Sequence, residues 1–405
     1  MIQHPGRRTC PDPPLSTMSH HTSIAGRLAP ELVDLVHSYL DDATLRTASL
    51  VSRDWLHIAR NHITLPIAFD KRNGSTLEDV LDDPQCTLLT TIRRIHLVHP
   101  EPDVVPPLRA YLSRFDHLSW LKICGMILGE MPPLPRVRTL GLFFCIFDSQ
   151  ASILSSLHNL PALRNLTLRR LRWFSPSVIN HAAPLLLDFL DVDWHRNERF
   201  EDILFALRPR HLMVWPIIDD AERDLATVST YLCHLGERIE RLTLQTASTL
   251  HIEQMVAHGL ELGACTALRA LELTSGIQYW ASGDRAAKSR VHVTVSSALP
   301  GLLARLPAPL DILTLSVTPA ASHVSGPVPL AKVLGDRRFT DLGRLRIVID
   351  AARLLTAEDA MGSDLVYIQR ARADVEPLIR AAMPLLMVGK VEFMNGVVLD
   401  QEKTS

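Results

Sequence analysis

From Ile92 to Phe393 one spacing recurs, apolar-x-x-apolar-x-apolar, and it constrains the fold of this chain more than any other feature. The copies are Ile92, Ile95, Leu97; Leu118, Leu121, Ile123; Val137, Leu140, Leu142; Leu163, Leu166, Leu168; and Leu187, Leu190, Val192. A degenerate copy has Pro209, Leu212, Val214, followed by Ile239, Leu242, Leu244; Leu268, Leu271, Leu273; Leu310, Leu313, Leu315; and Leu342, Leu345, Ile347. Val388, Val391 and Phe393 form a weak last copy. The first middle positions are spaced by 26, 19, 26, 24 and 22 residues, the later ones by 30, 29, 42, 32 and 46. The last two apolar residues of each copy alternate as a short strand with one buried face does. Helical stripes lie between copies: Ile153, Leu154, Leu157, Leu160; Phe200, Ile203, Leu204, Leu207; and Leu225, Val228, Leu232, Leu235. Strand and helix alternating at this period predict an α/β fold, a solenoid with a parallel sheet on its concave face. A generic α/β domain is the rival reading. The absence of a glycine-rich phosphate loop favours the solenoid.

The N-terminal region follows a different rule. Pro30 suits a first helical position, and Glu31 falls in the first turn, where negative charge is favoured. Leu32, Val36, Tyr39 and Leu40 then recur at helical spacing. Asp41 and Asp42 are caps for a second short helix carrying Leu45 and Ala48. Ser52 caps a third, with Trp55, Leu56 and Ala59 on its apolar side. Three helices in roughly 40 residues cannot bury a full core alone, so apolar surface is left for a partner.

The spacing of Leu28, Glu31, Leu32, Val36, Leu40, Leu45, Val51, Ser52 and Trp55 resembles the F-box. One departure is Ala29, which stands where the family usually has proline, with Pro30 one place later. The later copies are similar to leucine-rich repeats, whose period is about 20–29 residues. They are read as lacking the asparagine or cysteine that usually follows the last leucine. Together the two regions resemble F-box proteins with leucine-rich repeats. That resemblance implies a substrate receptor of an SCF-type ubiquitin ligase, not an enzyme, working in the cytoplasm or nucleus and needing no cofactor. It implies that Leu28, Pro30, Leu32, Val36, Leu40, Leu45, Val51 and Trp55 bind a Skp-type adaptor and, through it, a cullin. An unknown protein target is held by the repeats. A non-ligase scaffold with a vestigial or adaptor-only F-box is the alternative. The expected organisation is a leader over 1–23, a helical module over 24–66, the repeats over 67–400 and a tail over 401–405.

The 405 residues are 47% hydrophobic and 21% charged, as in a folded protein of two or three domains. A formal net charge of −2 gives no global reason to expect nucleic acid or an anionic membrane as partner. No apolar run approaches the 18 or so residues of a membrane span. The leader has no apolar signal core, and Pro5, Pro11, Pro13 and Pro14 spoil the amphipathic helix of a transit peptide. Met18 is an alternative start to Met1. Cys10, Cys86, Cys124, Cys145, Cys233 and Cys265 are never closer than 21 residues, which fits neither paired zinc ligands nor a compact disulfide framework.

No phosphate loop, dinucleotide fingerprint or nucleophile elbow occurs. The 18 histidines are scattered, and His57 and His62 miss the spacing of a helical zinc pair. Asp191 and Asp193 flank Val192 and face one side of a strand, with Asp188 nearby. Paired carboxylates share a proton or bind a cation, but a solvated acidic face is the more ordinary reading. The outward column of the sheet reads Val98, Cys124, Phe143, Arg169, Asp193, Trp215, Gln245 and Thr274, with Trp120 one column across. Trp120, Phe143, Arg169, Asp193 and Trp215 are the candidate target contacts, because exposed aromatics and arginine among acids supply interface hot spots. Packing of Phe143 and Trp215 against neighbouring elements is the competing reading. Arg164, Arg169, Arg170 and Arg172 form a candidate basic edge. Trp280 falls in a long insertion over 276–298.

Overall fold

The computed structural model describes residues 28–68, 89, 92–98, 112–175, 183–194, 200–216, 221–245, 249–282, 290–307, 309–319, 328–329, 342–350 and 391–396, with isolated positions between 373 and 380. The chain divides into two compact units between His62 and Ile63. That boundary lies slightly ahead of the 66/67 division expected from sequence, because Thr64–Ala68 is a strand of the second unit.

The first unit holds three helices: α1 (Pro30–Ser38), α2 (Asp42–Ala48) and α3 (Arg53–His62). Pro30 opens α1 and Glu31 sits in its first turn, although Ala29 at the cap offers no side-chain bond. The Thr44 amide donates to the Asp41 carboxylate at 2.7 Å, which caps α2. The Trp55 amide donates to Ser52 Oγ at 3.2 Å, the equivalent cap of α3. Val33 and His37, four residues apart on α1, are buried with Leu45, Ala48 and Ala59. The His37 ring meets Trp55 edge-on, with centroids 5.3 Å apart.

The second unit is α/β, built on a large, open, mostly parallel sheet. In chain order its strands are β1 (Thr64–Ala68), β2 (Arg94–Val98), β3 (Trp120–Cys124), β4 (Ile127–Leu128), β5 (Thr139–Phe143), β6 (Ile146–Ser149), β7 (Asn165–Arg169) and β8 (Arg172–Ser175). There follow β9 (Leu185–Trp194), β10 (Leu207–Pro216), β11 (Arg241–Leu244), β12 (Ala270–Ser282), β13 (Arg290–Val295), β14 (Ile312–Pro319), β15 (Val328–Pro329), β16 (Arg344–Asp350) and β17 (Val391–Gly396). The 14-stranded sheet runs β1-β2-β3-β5-β7-β9-β10-β11-β12-β14-β16-β17, with β13 and β15 attached beyond β12. Strands β4, β6 and β8 form a separate three-stranded parallel sheet.

Register makes the repeat visible. Ile95 pairs with Leu121, Leu121 with Leu140, Leu140 with Leu166 and Leu166 with Leu190. The row continues through Leu212, Leu242, Leu271, Leu313 and Leu345 to Val391. Leu65 of β1 pairs with Ile95, adding a copy that the sequence reading did not count. Behind the sheet lie α4 (Gln150–His158), α5 (Phe200–Phe205), α6 (Ala221–Leu235), α7 (Thr249–Ala257) and α8 (Leu299–Leu303). Ile153 and Leu157 of α4, Ile203 of α5, Val228 and Leu232 of α6, and Ile252 of α7 join the strand leucines in one buried cluster. A reciprocal capping box between Ser149 and Ser152 starts α4.

Two local readings are corrected. Cys145 does stand three residues after Leu142, where cysteine was thought missing. It is buried, and its thiol bonds the carbonyls of Ile123 and Phe143 at 3.5 and 3.4 Å. Leu207, assigned to a helical stripe, opens β10 because α5 ends at Phe205. In the insertion carrying Trp280, β12 runs to Ser282 and pairs antiparallel with β13.

Gly343 marks a forced close approach, since a Cβ there would lie 2.6 Å from the Asp311 carbonyl oxygen. Gly343→Ala is expected to lower stability by about 1–3 kcal/mol. Leu166→Ala, at a fully buried rung between Leu140 and Leu190, is expected to cost about 2–5 kcal/mol. Thermal melts of the two variants beside the parent chain check both figures.

Candidate functional site

Outward from the sheet, side chains form three columns between the leucine rows. Arg169 is the centre of the best-connected group. Its Nε and Nη2 donate to Asp191 Oδ2 at 3.1 and 2.6 Å. Trp215 Nε1 donates to the other oxygen of Asp191 at 2.8 Å. The guanidinium also stacks 4.2 Å from the Trp215 ring centroid and 5.8 Å from that of Phe143. Only 6% of the Asp191 side chain is exposed. Burial raises its carboxyl pKa, Asp193 adds to that, and Arg169 and Trp215 oppose it.

This arrangement revises the acidic-cluster reading. Asp191 is a covered hydrogen-bond acceptor, not part of a solvated acidic face. Asp193 lies 3.9 Å from Arg170. Among the described residues no group of three or more His, Cys, Asp or Glu is placed to hold a metal ion.

The other candidates separate by burial. Trp120 is buried, with the Arg94 guanidinium 4.9 Å over its ring, so it is not the exposed contact expected. Phe143 is half-buried beneath Lys122, whose Nζ lies 4.9 Å from the ring centroid. Trp215 is half-buried under Arg169, which favours the packing reading for both aromatics. Thr274 is buried, and Gln245 bonds Met213. Of the basic edge, Arg164 precedes β7 while Arg169, Arg170 and Arg172 lie at or beyond its other end, so it is no single cluster. Farther along the face His211, edge-on to Phe189, bonds Thr243 at 3.1 Å. Burial, aided by Arg241, pulls its pKa down to about 3. Arg241 pairs with Glu272, and Arg344 and Arg346 both reach Glu392. His96 and Cys124 meet at 3.3 Å.

No family model matches this chain, and no curated protein is similar to it.

In the first unit the structure divides the nine-position pattern into core and surface. Leu45 is buried, and Leu40 and Trp55 are half-buried. Leu28, Pro30, Leu32, Val36 and Val51 are exposed. Leu32, Leu35, Val36 and Tyr39 occupy positions i, i+3, i+4 and i+7 of α1 and are 52, 54, 49 and 76% exposed. Leu35 and Leu50 belong to this exposed apolar set and were missed. The i, i+3 relation of Leu35 to Leu32 was the available signal. Phe144 and Phe174 of the second unit, also exposed, were missed as well. Phe144 gives no periodic signal because it sits in a turn.

Opposite the stripe, His37 is fully buried and neither ring nitrogen has a partner. Burial lowers its pKa and nearby His62 lowers it further, opposed by Asp34, which bonds His62 at 2.8 Å. A histidine with a lowered folded-state pKa stabilises the fold fully above its ordinary value of 6.5, and the fold loses that stability as pH falls below it. Limited proteolysis of the full chain is therefore expected to cut within α1–α3 faster at pH 5.5 than at pH 7.5. His37→Phe is expected to flatten that difference.

Proposed function

We propose that this chain is a substrate receptor of an SCF-type ubiquitin ligase, with the helical unit docking on a Skp-type adaptor and the sheet unit holding a target protein. The supporting observation is the exposed stripe of Leu32, Leu35, Val36 and Tyr39 on a unit too small to bury it. A run of four large apolar side chains on one helix face costs solubility unless another surface covers it. Two of the four, Leu32 and Val36, are positions of the spacing that resembles the F-box. The regular rows of the sheet unit support a leucine-rich-repeat-like solenoid, and such rows present an extended array of side chains to a protein target.

Function on this reading is proximity. Neither unit needs to perform chemistry, because holding the target beside a ubiquitin-charged enzyme raises its effective concentration there.

Co-purification with the adaptor and cullin tests the proposal. The full chain is expected to recover both. A Leu32→Asp, Val36→Asp double variant is expected to lose them by at least about a hundredfold, since two buried apolar side chains contribute about 3–6 kcal/mol. Both positions are exposed, so the circular dichroism of the variant should match that of the parent. Adaptor without cullin supports the scaffold alternative, and recovery of neither removes the ligase reading.

A further inference from the structure

Three neighbouring strands of the large sheet end in a residue with positive φ. Gly125 follows β3 with φ 69°, Phe144 follows β5 with φ 55°, and Arg170 follows β7 with φ 52°. Each turn leads into the small sheet, to β4, β6 and β8 in order. Glycine takes this conformation freely, whereas a residue with a Cβ is strained in it. Gly125 shows that the turn itself needs no side chain. At the next two turns a phenyl ring and a guanidinium are carried despite the strain, and strain of that kind concentrates at functional sites.

Neither side chain is kept for the core. Phe144 is 54% exposed, and the Arg170 guanidinium stacks 5.0 Å over its ring. In the next rows of the small sheet Ile146 pairs with Arg172 and Phe147 with Trp173. Beyond them Phe174 stands 67% exposed beside exposed Asp148. Arg172 is exposed and makes no ion pair among the described residues. Among the described residues the only carboxylate near Arg170 is Asp193, at a long 3.9 Å. Arg169, by contrast, is spent on Asp191. The rim thus offers two guanidiniums with donors to spare and two exposed phenyl rings, one of them stacked under Arg170, with exposed Asp148 beside them.

We propose that Phe144, Arg170, Arg172 and Phe174 dock an acidic, aromatic-bearing segment of a partner protein. Guanidinium forks take carboxylates in pairs of hydrogen bonds, and exposed phenyl rings pack against an aromatic side chain. This deepens the target-binding half of the proposed function and rests on that half alone. A nucleic acid is the weaker occupant, because two guanidiniums neutralise only two phosphates, whereas nucleic-acid affinity draws on many such contacts.

The test uses the full chain and three labelled probes. One is a decapeptide of aspartate and glutamate with a central tryptophan, one its lysine counterpart, and one a ten-nucleotide oligothymidylate. The acidic peptide is expected to bind, and the lysine peptide not. Phe144→Gly is expected to hold or raise the melting temperature by relieving strain, while weakening acidic-peptide binding about tenfold or more. Arg170→Glu with Arg172→Glu is expected to abolish it. The proposal is overturned if the parent ignores the acidic peptide, if these variants bind it like the parent, or if the oligonucleotide binds more tightly. Adaptor recovery is read in parallel and should be unchanged in Phe144→Gly. Its loss from the parent would count against the ligase reading and leave the rim standing.

Discussion

The row of paired apolar residues from Ile95 to Val391 is the constraint on which the sheet unit depends. A one-residue slip at any rung would turn its leucines outward and its charged columns inward. Each rung is therefore fixed twice, by backbone hydrogen bonds to its neighbours and by burial of its two leucines against the helices. Copies of very unequal length tolerate this because extra residues are absorbed between strands, where loop closure costs grow slowly with length. The long step from Leu271 to Leu313 shows it: the added chain pairs with the extended end of β12 while Leu271 still meets Leu313 directly.

Once the leucines are committed to one side, the other side must satisfy its own polar groups, and the outward columns do so across strands. Arg169 serves Asp191, Arg241 serves Glu272, and Arg346 serves Glu392. These are cross-strand pairs of opposite charge, which stabilise a sheet modestly and orient its face. The aromatics there follow the same logic. Trp120 and Trp215 lie beneath arginines, and their exposed area is lower than a count of outward positions would suggest.

Much of the fold was legible in the sequence because its signals are periodic. The strand leucines, the stripes of α4 and α6, and the caps at Asp41 and Ser52 are each local patterns that burial or hydrogen bonding enforces. What was not legible depends on neighbours far along the chain. The burial of Trp120 needs Arg94, and the covering of Asp191 needs both Arg169 and Trp215 from separate strands. Cys145 escaped notice for a different reason: its position repeats in neither neighbouring copy, where Met126 and Leu171 stand. In the helical module, spacing marked apolar residues but could not sort them into core and surface. Leu45 and Val36 read alike in a pattern, and only the packing of α1 and α2 on α3 leaves one inside and the other out.

The two units solve the surface problem in opposite ways, and this separates the kinds of partner they fit. The sheet unit covers its large apolar side with its own helices, and its outward columns are mostly polar and paired, with exposed Phe144 and Phe174 left at the rim. The helical unit is too small to do the same, and α1 spends only Val33 and His37 on its core while Leu32, Leu35, Val36 and Tyr39 face away. An apolar stripe of that kind gains affinity from any well-fitting apolar groove, and its specificity comes from fit. The arginine and phenylalanine rim of the sheet unit instead discriminates by leaving buried charge unpaired when the wrong partner docks. A constant partner suits the first surface and a chosen one the second, which is the division of labour the proposed receptor function requires.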